Sequence, residues 1–246
     1  MNFADLHCHI LGYVDDGARD EKEMKEMLDI AYGDGIRTIC FTPHFKQYEF
    51  SGVGEISSYN ERISESFDTA KEYVSGKYPD MRLFLGSEIM YHHDISGSLY
   101  SSFCKSMAGT PFVLVEFDTN ISFFDMRSAS SALLRNGLRP IIAHVERYGC
   151  LIKNPKRLAE LKDLGALIQV NASKIKKFAF GKVAGFLKYA LKRSLVDFIA
   201  TDSHRASTSP PEISRAYGIV KNLCGMDYAK KVCCENAEKI LNNGNI

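Results

Sequence analysis

The chain has 246 residues, and 31 Lys and Arg stand against 30 Asp and Glu, so the formal charge is +1. That balance supplies no broad field for nucleic acid or an anionic membrane surface, and leaves room only for a localised basic site. With 45% hydrophobic and 25% charged residues it reads as one globular domain over 1–246, at the usual length of a single α/β barrel.

No apolar run approaches the roughly eighteen residues that span a bilayer, so the chain is not membrane-embedded. The opening MNFADLHCHI lacks the basic and apolar regions of a secretory signal. Seven cysteines, an odd number with no C-x-x-C pair, suit a reducing cytoplasm better than a disulfide framework. None is followed six residues later by arginine, which excludes the phosphate loop of cysteine-based phosphatases.

Strands alternate with helices along the whole chain. Asn2 to Leu6 reads as a strand, and Asp20 with Glu23 forms a capping box ahead of Met24, Met27, Leu28 and Ala31 at helical spacing. Gly33 and Gly35 are expected to stop that helix before a buried strand from Arg37 to Phe41. A polar helix follows from about Glu55 to Tyr78. Further strands are expected at Arg82–Leu85, Phe112–Phe117, Pro140–Ala143, Ala166–Val170 and Val196–Ala200, with helices near Phe124–Asn136, Asn154–Leu164 and Lys182–Ser194. Two or three short helices from Pro211 finish the chain. Seven strands permit a closed barrel or an open doubly wound sheet, both parallel and buried on two sides. The glycine-rich nucleotide motifs of open sheets are missing from the sequence.

The polar residues favour the barrel. The first strand ends in His7-Cys8-His9 with Asp15-Asp16 close behind, the second in Thr42-Pro43-His44, the third at Glu88 and the fourth at Glu116. The fifth ends at His144 and the seventh at Asp202-Ser203-His204, while the sixth offers Gln169 and Asn171, polar but weak as ligands. Barrel strands bring those ends to one mouth, where active sites of this architecture lie. His7 and His9, at i and i+2, share a strand face and can reach one metal. Imidazole and carboxylate suit zinc, manganese or iron, and five histidines with several carboxylates exceed what one ion takes. Two or three ions are therefore expected. Taken singly, each residue has an ordinary structural explanation; their joint placement is what argues for metal. His92 and His93 fit no such pattern and read as structural. Position alone does not decide between Asp15 and Asp16, and Arg147 by itself reads as an ordinary salt bridge with Glu146 or a helix carboxylate.

Several short motifs occur in a characteristic order: Asp5-Leu-His7-Cys8-His9-Ile-Leu, Asp15-Asp16-Gly17-Ala18, Gly35-Ile-Arg-Thr-Ile39 with Thr42-Pro43-His44, and Gly86-Ser-Glu88-Ile89. Leu114-Val-Glu116-Phe117, Pro140-Ile-Ile-Ala-His144-Val-Glu146-Arg147, Thr201-Asp202-Ser203-His204 and Glu235-Asn-Ala-Glu-Lys-Ile-Leu241 complete the series. Together they resemble the PHP (polymerase and histidinol phosphatase) superfamily, and within it the bacterial tyrosine-protein phosphatases found with capsular and exopolysaccharide synthesis genes.

The resemblance runs nearly end to end. It implies a distorted (β/α)7 barrel with a trinuclear centre, commonly manganese, with iron, zinc or magnesium as alternatives. The implied ligands are His7, His9, Asp16, His44, Glu88, Glu116, His144, Asp202 and His204, with Arg147 holding phosphate. Val145 and Phe45 depart from the pattern, where many members have Pro and a second His; Gly12 also replaces a frequent Pro.

The expected activity is hydrolysis of protein phosphotyrosine without a covalent enzyme intermediate. Arg147 would offset phosphoryl charge, and Asp202, His204 or a bound water would protonate the leaving phenolate. Tyr13, Phe45, Tyr48 and Phe50 could line the mouth for an aromatic substrate. By resemblance the partner is an autophosphorylating bacterial tyrosine kinase with a tyrosine-rich tail. Rival readings are a small-molecule phosphatase such as one acting on histidinol phosphate, a metal-dependent nuclease, and a non-catalytic scaffold; neutral charge weighs against the nuclease.

Overall fold

The computed structural model describes residues 1–176, 181–244 and 246. The elements run β1 (Phe3–Asp5), α1 (Glu21–Asp34), β2 (Ile36–Phe41), β3 (His44–Phe45), α2 (Val53–Lys77), β4 (Arg82–Leu85), β5 (Glu88–Met90), α3 (Ile95–Tyr100), β6 (Phe112–Glu116) and α4 (Phe123–Arg135). They continue with β7 (Arg139–Ile142), α5 (Gly149–Ile152), α6 (Arg157–Leu164), β8 (Leu167–Asn171), α7 (Ala172–Lys176), α8 (Lys182–Lys192), β9 (Phe198–Ala200), α9 (Ser214–Cys224), α10 (Met226–Lys230) and α11 (Asn236–Leu241). This is a mixed α/β fold with a half-barrel of parallel strands. One sheet has the order β1-β2-β4, the other β3-β5-β6-β7-β8-β9, and every pairing is parallel.

Two strands resume past their expected ends at Phe41 and Leu85. The second pauses at Thr42-Pro43 and resumes as β3; the third pauses at Gly86-Ser87 and resumes as β5. Pro43 has no N–H to give the ladder. Across the gap the backbone still bonds, Gly86 N–H to the Phe41 carbonyl at 2.8 Å and Glu88 N–H to that of Pro43 at 3.1 Å. These resumed pieces carry His44 and Glu88 beyond where the apolar runs end.

Helix boundaries follow local chemistry. Asp20 caps α1 by accepting the Glu23 N–H at 2.8 Å, but the capping box is incomplete: Glu23 bonds the Arg19 N–H at 3.0 Å instead of returning to Asp20. Gly33 lies inside α1, and Gly35, at φ 95°, closes it in the left-handed region that suits glycine. The helix expected from Asn154 starts only at Arg157, because Pro155 disfavours helical geometry in the residue before it. Sequence periodicity gave no warning of the short α3, α5 and α7.

Strand alternation explains how an apolar interior becomes polar at one end. Phe112 and Leu114 pack inside with Ala4, Leu6, Ile141, Leu167, Phe198 and Ala200, while Val113, Val115, Ile142, Ile168 and Val170 face the helices. Ala237, Ile240 and Leu241 of α11 join that inner cluster. Continuing in steps of two, the inner face of β6 reaches Glu116, that of β8 reaches Gln169 and Asn171, and that of β9 reaches Asp202. His144 and Asp202 have φ of 32° and 50°, so the chain turns sharply as it leaves β7 and β9.

Candidate metal centre

Of the residues expected to bind metal, Glu116 ends β6, His7, His9, His144, Asp202 and His204 follow closely on β1, β7 or β9, His44 and Glu88 open β3 and β5, and Asp16 lies in the loop before α1. Three sets of ligand atoms converge among the described residues: His9, Asp16, His44 and His204; His7, His9, Glu88 and Asp202; and His44, Glu88 and Glu116. Within each set the atoms lie within 4.8 Å of one another. His144 stands outside these sets but beside the third, its Nε2 2.8 Å from Glu88 Oε1 and 3.8 Å from Glu116 Oε2.

Glu88 is the hub. Its Oε1 faces His7 Nε2 at 3.2 Å as well as His144, and its Oε2 faces His9 Nε2 at 3.2 Å and His44 Nδ1 at 3.0 Å. The sets overlap through His9, His44 and Glu88, which is the arrangement that bridged, closely spaced ions require. Five buried atoms here have no hydrogen-bond partner: His44 Nδ1, Glu88 Oε2, Glu116 Oε1, His144 Nδ1 and Asp202 Oδ1. Each unsatisfied buried group costs about 1–3 kcal/mol, a deficit that a cation would relieve. Nitrogen and oxygen donors without thiolate fit divalent ions of borderline or hard character.

Asp15 and Asp16 take separate roles. Asp16 is 68% exposed at its side chain, and its Oδ1 is 3.5 Å from His44 Nε2 and 3.6 Å from His204 Nε2. Asp15 is turned inward. Its carboxylate accepts from His9 Nδ1 at 2.7 Å, from the His44 N–H at 3.0 Å and from the Gly17 N–H at 3.0 Å. That bond places the His9 proton on Nδ1 and leaves Nε2 for the cluster, as carboxylates behind metal-binding imidazoles do.

Gln169 and Asn171, which read from the sequence as weak ligands, act instead as hydrogen-bonding supports. Gln169 Oε1 accepts the His144 N–H at 2.6 Å and lies 3.2 Å from His7 Nδ1. Asn171 Nδ2 donates to Asp202 Oδ2 at 2.7 Å. Their signal was the alternation along β8, which puts both on the ligand face.

Arg147 does not pair with Glu146. Its Nη2 bonds Asp202 Oδ2, and its side chain is 39% exposed. Glu146 is buried and accepts the Asn171 N–H at 3.2 Å. His92 and His93 lie outside the three ligand sets. The aromatic residues divide: Phe45 is buried against Phe50, 5.6 Å between ring centroids, whereas Tyr13 and Tyr48 are 69% and 72% exposed.

Charge is balanced by the ligands themselves when no cation is present. Burial raises the Glu88 carboxyl, but the His7 charge and the close imidazoles of His144 and His44 outweigh it and hold the group well below the carboxylate range. Burial lowers the His44 imidazole, yet Glu116 and Glu88 overcome it and push it up to about 9. Since the folded value exceeds the unfolded 6.5, the stabilisation from protonated His44 is fully present below pH 6.5 and lost as pH rises through about 9. A cation must displace that proton. Binding of Mn at pH 7.5 is therefore expected to release protons, measured by calorimetry in buffers of different ionisation enthalpy; a buffer-independent heat would contradict it.

The Capsular polysaccharide synthesis, CpsB/CapC family matches residues 3–242. The tyrosine-protein phosphatase CpsB of Streptococcus pneumoniae is 33% identical over 242 residues, 96% of this chain and 97% of that protein. The tyrosine-protein phosphatase YwqE of Bacillus subtilis is 27% identical, over 98% and 92%. A solved structure from work on YwqE and CpsB, described as unique metal-dependent tyrosine phosphatases, matches with TM-score 0.86 at 26% identity, covering 99% of this chain and 96% of its own. A histidinol phosphate phosphatase from Lactococcus lactis, TM-score 0.58 at 17% identity over 90% and 94%, shares the fold.

Proposed function

We propose, from the premise that this chain belongs to the CpsB/CapC family of capsular polysaccharide synthesis, that it is a metal-dependent protein-tyrosine phosphatase. The observation that carries this reading is the overlap of three candidate ligand sets through His9, His44 and Glu88, beside an arginine that bonds Asp202 of the same sets. The weaker alternative, a histidinol-phosphate phosphatase, has only the fold likeness behind it.

Further assignments are proposals within that reading. The metal ligands are His7, His9, Asp16, His44, Glu88, Glu116, His144, Asp202 and His204, holding two or three divalent ions, manganese first. Counting β2 with β3 and β4 with β5 as single broken strands leaves seven. A parallel bridge between Cys8 and Ser203, with Asp202 N–H to the His7 carbonyl at 2.8 Å, supports closing them into one distorted (β/α)7 barrel. Residues 1–246 then make a single domain. The substrate is phosphotyrosine on an autophosphorylating bacterial tyrosine kinase, and the site of action is the cytoplasm.

Ions held by this set would polarise the phosphoryl oxygens and lower the pKa of bound water. The chain's own residues supply the rest. Arg147, anchored on Asp202 Oδ2, offsets phosphoryl charge as the bond to the tyrosine oxygen breaks, and its planar fork suits two oxygens. Burial pulls the Asp202 carboxyl up, but the His7 charge, His9 and Arg147 hold it well below the carboxylate range, so it stays anionic and fixes the arginine. With the proton on Nδ1, His204 donates to the Asp202 carbonyl, 3.0 Å away, which leaves Nε2 as its ligand atom. A phenolate, whose conjugate acid has a pKa near 10, leaves without strong acid assistance, so water can protonate it.

The test is phosphate release from a phosphotyrosine peptide, with Mn and with chelator, beside phosphoserine peptide and histidinol phosphate. Mn-dependent turnover favouring phosphotyrosine is expected; a preference for histidinol phosphate would move the protein to the other branch. Arg147→Ala should lower kcat/KM by about 10²-fold with bound metal retained, about 2.7 kcal/mol. Loss of metal in that variant would assign Arg147 to the metal shell instead.

A further inference from the structure

The near-zero net charge conceals a division of sign. Between Leu164 and Val196 the sequence holds seven lysines and arginines and no acidic residue. Helices α8 and α9, which pack against each other, contain no Asp or Glu at all. Lys182, Lys188 and Lys192 of α8 are exposed, as are the adjoining Arg193 and Arg215 and Lys221 of α9. Glu212, just before α9, is paired with Lys176 at 2.7 Å and so does little to offset these charges.

The spacing on α8 is that of a helix with one dry face and one basic face. Phe186, Leu187, Ala190 and Leu191 are buried, and Lys188 and Lys192 stand four apart on the other side. Arg193 lies over the Tyr189 ring at 4.7 Å, which keeps that cation on the flank of the helix. Val183, 36% exposed, adds an apolar contact at the start of α8.

We infer that the α8–α9 face is a peripheral docking surface for an anionic phospholipid membrane. The charges extend over about 16 Å of α8 and continue onto α9, farther than a single bound group would need. Most are lysines, compact charges on flexible stems without the fixed fork that recognises one carboxylate geometry. Lysines spread over two helices, with no acid among them to order a partner's cations, match a surface that is negative everywhere and fluid. Each basic side chain near such a surface contributes about 1 kcal/mol, so the set gives reversible binding without an inserted segment. The face also adjoins the metal centre, because α8 packs against the turn at 145–147 that carries Arg147. Docking would hold the mouth beside the membrane. This inference does not depend on the phosphatase reading, which is tested by turnover alone.

The experiment is co-sedimentation of the full chain with vesicles of phosphatidylcholine alone or with about 30 mol% phosphatidylglycerol, at low and at about 0.5 M salt. Binding is expected only to the anionic vesicles and should fall steeply with salt. The triple variant Lys182→Glu/Lys192→Glu/Lys221→Glu should bind at least about tenfold more weakly, with phosphotyrosine turnover in solution unchanged. A control with the same charge change elsewhere, Lys22→Glu/Arg127→Glu/Arg135→Glu, should bind nearly as the unaltered chain does. Failure of the unaltered chain to bind anionic vesicles would overturn the inference whether or not the variant folds. So would equal loss in both variants. Tight, salt-sensitive binding to heparin or polyglutamate without vesicle binding would assign the face to an acidic polymer.

Discussion

Glu88→Gln should reduce phosphatase turnover by on the order of 10³-fold, about 4 kcal/mol, and sharply lower bound metal. The substitution keeps the shape of the side chain but removes the charge that four imidazoles face at 2.8–3.2 Å. An amide nitrogen in place of either oxygen cannot ligate, so whichever way the group turns, one side of the cluster loses its donor. The carboxylate also serves two ligand sets, so its loss should release more than one ion. Metal analysis of the purified variant, alongside turnover, checks this. Wild-type metal content with wild-type turnover would show that Glu88 is not shared. Circular dichroism should remain native, because the surrounding strands are held by their own ladders.

Gly17→Ala should destabilise the chain by about 3 kcal/mol, roughly 6–12 °C in Tm, and empty the ligand set containing Asp16. A Cβ at that position would overlap the His9 carbonyl oxygen and lie 2.7 Å from the His9 carbonyl carbon and Cβ. The same carbonyl accepts the Ala18 N–H at 3.1 Å, so the loop cannot move outward without breaking the bond that folds it back. Asp15 and Asp16 immediately precede the collision and would be displaced with it. Gly33→Ala is the matched control. Its Cβ would meet nothing within 4 Å inside α1, and it should stabilise by about 0.5–1 kcal/mol. Thermal melts of both variants decide the matter, and a silent Gly17→Ala would remove the close-approach argument.

The convergence of the candidate ligands was legible because two simple periods coincide. Residues two apart on a strand share a face, and parallel strands end at a common level, so His, Asp and Glu after apolar runs had to meet. What stayed hidden depended on contacts between distant segments. Nothing in Asp15-Asp16 says that the first turns inward to His9 and the second outward to His44 and His204. Arg147 stands next to Glu146, yet it reaches Asp202, 55 residues away. Gln169 and Asn171 looked weak as ligands, and their contribution is hydrogen bonds that orient His144 and Asp202. The breaks at Thr42-Pro43 and Gly86-Ser87 escaped notice because both flanking pieces are short and one begins with the ligand itself.

The first and last strands meet at the candidate metal centre. His7 and His9 come from the first strand's end, Asp202 and His204 from the last, and Asp5 Oδ1 accepts the Thr201 N–H at 3.0 Å across that seam. A chain leaving the ribosome therefore carries its first two histidines, with Asp15, His44 and Glu88 soon after, long before Asp202 and His204 exist. Local helices and the early strands can form along the way, but the candidate ligand sets cannot be completed until residue 204 has emerged. Assembly of the site therefore reports that the chain has been made through residue 204, and a product truncated before it, however well its helices form, would lack Asp202 and His204.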